Sequence, residues 1–479
     1  MVQTCGGRDL VSRPLLMSRD GKHIFTAGDK KVTVFNTETG LPVRELNTGP
    51  TVKLGLTQNA SELVVAGLNA VTTWNYELAK IDSKKKYFRV EKKISVLDAL
   101  IPNNFSDAKE VYLSYTEEES SKCKLLRVDV KSNTSKQIFS DIGPESVHLG
   151  GNDNYVIAIE QLHGSKTNKM LCYDKNLSTS QYFTTDKKRP LTVVRCHPTE
   201  KVIACGDISG RILIVNGYGS KECLSSAKSI LHWHSCPVRT IAWSSEGSHL
   251  YSGGDERVMC KWFPEENSKP FFLPRCGAEI ADIQTSDNGV ALQLSNNSVK
   301  ILNKQDCPVQ ELLGLSKNGS GWPVGLAWNE RTRSMYLNGD TGHIQVFNPE
   351  SKNTHSLDIA RQNYLTRERE KSPHNSEVEA MALSVDGMYM VTVDCCWTPI
   401  PKVLMKFWHF SQSTQQFVLH TQVNLPHKTG VKSLHFRPES VDDDVAVLSV
   451  GRDKSAKMWV LEDDKSWSCL YSFEAQMLS

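Results

Sequence analysis

The sequence lacks long apolar runs, a signal peptide and any regular spacing of its cysteines. No stretch of the 479 residues approaches the roughly 18–20 apolar residues that a membrane-spanning helix requires. The N-terminal segment MVQTCGGRDLVSRP has no apolar core of the signal-peptide type. Thirteen cysteines are scattered along the chain without a CxxC pair. We interpret them as reduced thiols that fill small spaces in a core, and we expect no membrane contact.

The sequence also lacks an excess of charge of one sign. Its 56 Lys and Arg residues nearly balance 54 Asp and Glu residues, which gives a formal net charge of +2. A protein that binds nucleic acid mainly through phosphates needs a broad positive field, and this balance does not supply one. Binding through local basic patches stays open.

Catalytic and nucleotide-binding motifs are missing from the sequence as well. It contains no GxxxxGK[ST], no GxGxxG that opens a helix after a strand, no HExxH and no GxSxG. We therefore expect a non-enzymatic protein with no cofactor and no small-molecule substrate. An enzyme that uses residues scattered over several repeats is the alternative.

What the sequence does contain is a repeated unit of short strands separated by tight turns. In residues 234–262, His234 precedes an apolar strand, a Glu-Gly turn, the strand HLYSGG, a second turn and a strand that ends at Trp262. Residues 427–459 follow the same order. This succession is typical of the blades of a WD-repeat β-propeller.

Both repeats contain a histidine, a strand serine, an acidic turn residue and a strand tryptophan. In WD repeats these four form one hydrogen-bonded chain, because a buried indole N–H is a donor only and needs an acceptor. The complete set is His427, Ser449, Asp453 and Trp459. The second set, with a longer carboxylate, is His234, Ser252, Glu256 and Trp262. We predict that both are structural tetrads.

Three potential metal ligands, His232, His234 and Cys236, occupy alternate positions in the first of these repeats. Alternate positions on a strand share one face, as a metal site would require. Zinc would also need a fourth ligand at a suitable spacing, and none lies nearby in the sequence. Because His234 already has a place in the repeat, we predict no metal site here.

Weaker copies of the unit fill the rest of the chain. They lie at 12–36, 51–75, 96–141, 146–185, 191–216, 279–303, 322–348 and 378–410. With the two complete repeats they give seven blades in roughly 12–316 and three more in 322–475. Seven blades can close a propeller, whereas three cannot.

The sequence therefore predicts an all-β protein built as a WD-repeat β-propeller. We expect one complete seven-bladed ring over residues 1–318 and about three blades of an incomplete second propeller over 319–479. The segment 355–379 has no blade pattern, and we predict an excursion between blades there, with room for a short helix.

Two basic stretches stand out from the balanced composition. Their residues are Lys84, Lys85, Lys86, Arg89, Lys92 and Lys93 in the first, and Lys187, Lys188 and Arg189 in the second. One interpretation is a charged edge strand that discourages pairing between sheets. The other is a surface for RNA or a partner protein, which the neighbouring Tyr87 and Phe88 favour because bases stack on aromatic rings.

Several segments resemble one family of WD-repeat proteins. They are CHPTEKVIACGDISGRILIV (196–215), LHWHSCPVRTIAWSSEGSHLYSGGDERVMCKW (231–262) and EVEAMALSVDGMYMVTV (377–393). Two details are more specific than a general WD blade: LHWH (231–234), where ordinary repeats have Gly-His, and the long insertion before KFW (406–408). On these residues the chain resembles the nucleolar WD-repeat-containing protein 75 family over nearly its whole length.

That resemblance implies a function, a location and partners. Members of the family are tandem propellers of the small-subunit processome, in the subgroup linked to transcription of ribosomal RNA genes. The resemblance thus implies a non-enzymatic scaffold of ribosome biogenesis in the nucleus and nucleolus, which supports pre-rRNA transcription and early pre-rRNA processing. The implied partners are other WD-repeat processome proteins, pre-ribosomal RNA and small nucleolar RNA, bound directly or through partners.

Two further expectations accompany the resemblance. The family continues past the last residue of this sequence, so the resemblance implies a C-terminal truncation three blades into the second ring. A WD-repeat adaptor or substrate receptor for a chromatin or ubiquitin-ligase complex is the alternative function, since the fold alone permits both.

Overall fold

The computed structural model of the chain consists of β-sheets joined by turns and loops. It describes residues 2–474 except 5–9, 11–12, 14, 29, 58–61, 69, 77–84, 90–93, 102–109, 118–122, 130–131, 133, 143–146, 152–154, 161–167, 176–178, 186–188, 218–227, 266–268, 275, 317–325, 352, 361–375, 397–401, 439–444 and 464–465. In this described part of the chain there is no helix, and so none that could cross a membrane.

The chain divides into two compact units, Met1–Leu313 in the first and Gly314–Thr366 with Pro373–Ser479 in the second. Among the described residues the first unit holds seven sheets and the second holds three. Each sheet is an antiparallel set of four strands in chain order, which is the architecture of propeller blades.

The first unit begins with a short strand, β1 (Val2–Thr4), and then forms seven sheets in succession. Sheet 1 contains β2 (Leu16–Met17), β3 (His23–Ala27), β4 (Val32–Asn36) and β5 (Pro42–Leu46). Sheet 2 contains β6 (Thr51–Leu56), β7 (Glu62–Gly67), β8 (Ala70–Asn75) and β9 (Lys85–Arg89). Sheet 3 contains β10 (Ile94–Leu100), β11 (Glu110–Glu117), β12 (Cys123–Asp129) and β13 (Thr134–Ile142).

The remaining sheets of the first unit follow the same pattern. Sheet 4 contains β14 (Val147–Gly151), β15 (Tyr155–Glu160), β16 (Asn168–Asp174) and β17 (Thr179–Thr185). Sheet 5 contains β18 (Leu191–Cys196), β19 (Val202–Asp207), β20 (Arg211–Asn216) and β21 (Lys228–His232). Sheet 6 contains β22 (Val238–Trp243), β23 (Leu250–Gly254), β24 (Met259–Trp262) and β25 (Phe271–Leu273). Sheet 7 contains β26 (Ile280–Thr285), β27 (Gly289–Leu294), β28 (Ser298–Asn303) and β29 (Pro308–Leu313).

The second unit has three sheets. Sheet 8 contains β30 (Ala327–Asn329), β31 (Ser334–Asn338), β32 (His343–Phe347) and β33 (Thr354–Asp358). Sheet 9 contains β34 (Glu377–Leu383), β35 (Tyr389–Cys396), β36 (Lys402–Ser411) and β37 (Gln416–Asn424). Sheet 10 contains β38 (Val431–Phe436), β39 (Ala446–Gly451), β40 (Ser455–Leu461) and β41 (Trp467–Glu474).

Apolar side chains from neighbouring sheets pack together and form the cores. Sheets 5 and 6, for example, share a cluster that includes Val193, Ile214, Ile241 and Trp262. Because a blade in the ring is covered on both faces, its middle strands are buried throughout, and all six residues of β27 are buried. Such strands appear as continuous apolar runs in the sequence, without the alternation of a half-exposed sheet.

The first strands of most sheets carry a bulge one residue after their start. The register shifts lie between Thr51 and Lys53, Val96 and Asp98, Leu191 and Val193, Val238 and Thr240, Ile280 and Asp282, Val378 and Ala380, and Val431 and Ser433. A bulge strengthens the local twist of a strand and redirects its side chains. Its recurrence at one position in seven sheets shows that the divergent repeats keep the same backbone.

The first unit closes on itself where its N-terminal residues meet sheet 7. Strand β1 pairs in parallel with β29 as a fifth strand. The Leu10 amide donates to Asn297 Oδ1 at 2.7 Å, and Gln293 Nε2 donates to the carbonyls of Leu10 and Arg13. Leu10 and Ile24 share an apolar cluster with Ile301 of sheet 7. The predicted fold class, an all-β WD-repeat propeller, is confirmed.

The predicted excursion 355–379 is wrong at both of its ends. Residues Thr354–Asp358 form β33, the outer strand of sheet 8, and Glu377 already begins β34. The polar sequence THSLD conceals this strand because its residues lie on a blade's outer edge, where most side chains are at least partly exposed. The interior of the segment, 361–375, lies outside the described residues.

Candidate functional site

The structure brings together the four members of the tetrad in sheet 6. Trp262 Nε1 donates to Ser252 Oγ at 2.8 Å, and Ser252 Oγ lies 2.8 Å from His234 Nε2. His234 Nδ1 lies 3.2 Å from Glu256 Oε2. The four residues come from β23, β24 and two flanking turns, so the network ties the edges of one sheet together. All four side chains are buried.

Glu256 does the work of the shorter aspartate because its carboxylate also accepts backbone hydrogen bonds. Its Oε1 accepts from the amide of Ser235 at 2.7 Å and from that of Cys236. Burial alone would raise the pKa of Glu256, but the hydrogen bond and charge of His234 and the Cys236 amide hold it below its ordinary value. The carboxylate therefore stays ionised, and it fixes the His234 ring with Nδ1 as the donor.

The tetrad of sheet 10 has the same chain of contacts. Trp459 Nε1 donates to Ser449 Oγ at 2.9 Å, and Ser449 Oγ lies 2.8 Å from His427 Nε2. His427 Nδ1 lies 3.2 Å from Asp453 Oδ1. A fifth member, Ser455, was missed by the sequence comparison: its Oγ lies 2.8 Å from His427 Nδ1 and donates to Asp453 Oδ1 at 2.7 Å.

Burial and hydrogen bonding shift the titration of this second tetrad. Burial lowers the pKa of His427, although the neighbouring Asp453 carboxylate opposes the shift. Burial would raise the pKa of Asp453, but hydrogen bonds from Ser455 and from the Lys428 amide hold it far below its usual range. The network thus contains a neutral imidazole and an ionised carboxylate, which is a stable structural arrangement.

Two backbone features let the acidic turn approach the histidine. A Cβ at Gly451 would collide with Asp453 Oδ1 and His427 Nδ1, so only glycine fits there. The residues that follow the acids, Arg257 and Lys454, both adopt left-handed backbone with φ of 62° and 63°. The two turns therefore have matching conformations even though one acid is Glu and the other Asp.

The three potential metal ligands of the LHWH segment do not share a site. His232 is exposed, while His234 and Cys236 are buried, and His234 uses both ring nitrogens in the tetrad. Across the described residues no group of three or more His, Cys, Asp or Glu side chains could hold a metal ion. Trp233 of the same segment lies on the surface, 38% exposed, with its ring 4.6 Å from that of Phe272.

Partial networks in other sheets replace the tetrad with different partners. Trp408 Nε1 donates to Thr392 Oγ1 at 2.9 Å, and Trp74 Nε1 donates to Thr72 Oγ1 on its own strand at 3.0 Å. In sheet 5 the turn acid is Asp207, fully buried, which accepts from Ser209 and Arg211. Sequence reasoning missed these sites because it searched for four residues at fixed spacing.

An ionic network between sheets 6 and 7 also escaped the sequence comparison. Asp306 accepts from the Tyr251 hydroxyl at 2.9 Å and from Lys261 Nζ at 2.8 Å. Burial and the Asp306 charge raise the pKa of Tyr251 well above its ordinary value, so the hydroxyl remains a donor. Asp306 is more than forty residues from both partners, and no local pattern signals such a pairing.

Charged residues of the first strands pair with one another in the same way. Lys53 Nζ lies 4.0 Å from Asp98, and Asp98 accepts from the Leu149 amide at 3.1 Å. Asp282 accepts from Thr240 Oγ1 at 3.2 Å and lies 3.9 Å from Arg195. Each acid therefore joins two or three sheets, and its position suits cohesion between blades.

The predicted basic patches are described only in part. Lys85, Lys86 and Arg89 belong to β9, the outer strand of sheet 2, and Arg189 is exposed just before β18. Lys84, Lys92, Lys93, Lys187 and Lys188 lie outside the described residues. An outer strand suits either interpretation, a charged protective edge or a surface for a partner.

Comparison with known proteins supports the architecture over both units. The model of the WD repeat-containing protein 75 first beta-propeller matches residues 16–298, and that of the second beta-propeller matches residues 326–473. WD repeat-containing protein 75 of Mus musculus is 27% identical over 498 residues, and that of Homo sapiens is 28% identical over 502. Both alignments cover 98% of this chain and 58% of the relative.

A fungal relative extends the comparison. The U3 small nucleolar RNA-associated protein 17 of Schizosaccharomyces pombe is 24% identical over 547 residues, which is 97% of this chain and 64% of the relative. The chain thus spans less than two thirds of the length of these curated relatives. Because two propeller models of one family account for most of its residues, the chain belongs to the WD repeat-containing protein 75 family.

Proposed function

We propose that the protein is a non-enzymatic scaffold in ribosome biogenesis, a component of the small-subunit processome that acts in the nucleolus. Within it, residues 1–318 would form the complete propeller and 319–479 part of a second. The observation that carries the proposal is membership in the WD repeat-containing protein 75 family over both propellers. The name of the fission yeast relative, a U3 small nucleolar RNA-associated protein, supports an association with RNA-processing complexes.

The use made of polar side chains supports a scaffold over an enzyme. The histidines that combine with serine and an acid, His234 and His427, are buried and bonded at both ring nitrogens. A general base needs a free nitrogen that reaches a substrate. In these two networks the imidazole instead holds a turn against a strand, and the serine oxygen is engaged by tryptophan.

The charge balance supports partners that are bound through local surfaces. With a net charge of +2, the chain has no general attraction for RNA, so contact with pre-ribosomal RNA or small nucleolar RNA would use the basic stretches or occur through partner proteins. Other WD-repeat processome proteins are the protein partners that we propose. Support for pre-rRNA transcription and early processing belongs to the same proposal.

The experiment that tests this function is affinity purification of the tagged protein from cells, combined with imaging of its location. We expect a nucleolar signal and the enrichment of other processome proteins. Recovery of chromatin or ubiquitin-ligase subunits without processome proteins would favour the adaptor alternative instead.

A charge-reversal pair of variants tests direct RNA contact within that purification. In Lys85→Glu, Lys86→Glu, Arg89→Glu, RNA crosslinked to the protein should fall while processome proteins are still recovered. The matched control, Lys22→Glu, Lys30→Glu, Lys432→Glu, changes the same charge at exposed positions elsewhere. Equal crosslinking in both triple variants would place any RNA contact outside this strand.

A further inference from the structure

The last sheet of the second unit has one covered face and one apolar face without a cover. Cross-strand pairing places two rows of side chains on the open face: His435, Leu448, Met458 and Tyr471 in one, and Ser433, Val450, Ala456 and Phe473 in the other. We name these eight residues the trailing face. None of them is Asp, Glu, Lys or Arg. Leu448 is 39% exposed, Tyr471 52% and Phe473 57%.

The preceding sheet shows what this face is built to contact. Thr392 and Ser449 both accept a tryptophan indole N–H, which aligns the two sheets residue by residue. In that alignment Val391 corresponds to Leu448, and Phe407 corresponds to Met458. Val391 and Phe407 are fully buried because sheet 10 covers them with a cluster that includes Trp459.

The other end of the same unit presents a complementary surface. In sheet 8 the position of the tetrad tryptophan is held by Phe347, which pairs with Met335, and Met335 pairs with Trp328. We name Trp328, Met335 and Phe347 the leading face. Trp328 is 43% exposed, and Met335 and Phe347 are partly exposed. In sheet 10 the equivalent residue Trp459 is 4% exposed, because sheet 9 packs on it.

We propose that the trailing face of one copy binds the leading face of a second copy, so that two second units close one ring of six sheets. Both faces are apolar and uncharged, so neither charge repulsion nor an unpaired charge opposes their contact. A two-fold axis repeats the contact twice and leaves neither face open, which limits assembly to a dimer. Six sheets also lie within the usual range of about four to eight blades for a propeller.

Sedimentation velocity of the purified full chain tests the proposal with one variant on each face. Wild type should sediment as a dimer, and both Leu448→Glu and Trp328→Glu should sediment as monomers at the same concentration. The control Val385→Glu changes a residue that is 65% exposed in a turn of sheet 9, and it should remain dimeric. A monomeric wild type overturns the proposal.

Mixing the two variants separates this arrangement from other dimers. A pair formed by Leu448→Glu and Trp328→Glu retains one unmodified contact, so the mixture should recover dimer that neither variant forms alone. If Trp328→Glu stays dimeric while Leu448→Glu does not, the trailing faces pair with each other and the six-sheet ring is wrong.

Disulfide trapping supplies a measurement that does not depend on disrupting a face. In a Cys307→Ser, Cys469→Ser background, which removes two exposed thiols, the double variant Leu448→Cys, Trp328→Cys should give covalent dimers on oxidation. Leu448→Cys alone should not, since two trailing faces do not meet. Crosslinking by the single variant to the same extent overturns the proposal.

Discussion

Trp459 and Ser449 lie on neighbouring strands, and the indole N–H of the first donates to the hydroxyl oxygen of the second at 2.9 Å. Ser449 in turn contacts His427, so one oxygen connects a core aromatic residue to the turn at the edge of the sheet. The same relationship joins Trp262, Ser252 and His234 in the first unit. A few buried polar groups thereby set the register of each blade in both units.

Replacing Trp459 with Ala should reduce the free energy of unfolding of the second unit by about 3–5 kcal/mol, as expected for a large buried aromatic residue. The substitution opens a cavity against Phe407 and leaves the Ser449 hydroxyl with one partner fewer. Denaturant titration with hydrogen exchange read out on β39 and β40 measures the loss. Trp459→Phe, which keeps most of the packing, should cost clearly less; equal losses would show that the hydrogen bond matters more than the volume.

Ser252→Ala should destabilise the first unit by about 1–3 kcal/mol, because it leaves a buried indole N–H and a buried imidazole nitrogen without a partner. The volume change is small, so packing contributes little to this effect. Ser245→Ala, at an exposed position of the same sheet, is the control and should leave stability unchanged. Thermal unfolding of the two variants measures the difference, and a neutral Ser252→Ala would contradict a structural role for the tetrad.

Gly451→Ala should disrupt the second tetrad although it adds only a methyl group. The new Cβ would overlap both the Asp453 carboxylate and the His427 ring, so the turn must move away from the strand. The imidazole signals of His427 in an NMR spectrum should shift together with the Trp459 indole N–H signal. Unchanged spectra would show that the backbone yields without breaking the network.

Stability of the second unit should decrease as the pH falls from 8 to 5. The pKa of His427 is below its ordinary value in the folded protein, so the unfolded chain binds more protons once the pH drops below about 6.5. The lowered pKa of Asp453 adds a further loss only below about pH 4, since its ordinary value lies there. Denaturant unfolding of wild type and His427→Gln at several pH values tests this, and the variant should show a shallower dependence between pH 7 and 5.

Lys406→Met should destabilise sheet 9, and the loss should grow as the pH rises. Lys406 Nζ lies 2.8 Å from Asp394, and burial raises the pKa of Asp394 even with this partner present. Without the lysine, the folded state must hold an unpaired buried carboxylate above the pKa of the unfolded group, and protonation at lower pH relieves it. Because a fully apolar replacement can be neutral or stabilising, the double variant Asp394→Leu, Lys406→Met should regain stability in the same unfolding assay.

The sequence contained enough information for the fold class and for the two complete tetrads. Their residues recur at fixed spacing, since each backbone turn needs the same hydrogen-bond donors and acceptors. Ser455 was missed because a serine two residues after an aspartate is common in turns and has no pattern of its own. The pair of Asp306 with Lys261 was missed because it joins two sheets, and only the packed structure brings those residues together.

The outer strands were the hardest elements to predict. Strand β33 was assigned to an excursion because an outer strand contacts one neighbour and needs few apolar residues. The parallel pairing of β1 with β29 joins residues at opposite ends of the first unit, and no local signal encodes it. The open trailing face was foreseen only in outline, as apolar strands without a following blade, and its complement on sheet 8 required the registered strands.

Recovery of U3 small nucleolar RNA and pre-ribosomal RNA with the tagged protein tests the account most directly. After purification under conditions that preserve complexes, both RNAs should be enriched over a purification of an unrelated tagged propeller, and the tagged protein should lie in the nucleolus. A tagged protein that folds, reaches the nucleus and recovers neither RNA above that control would contradict a role in the processome.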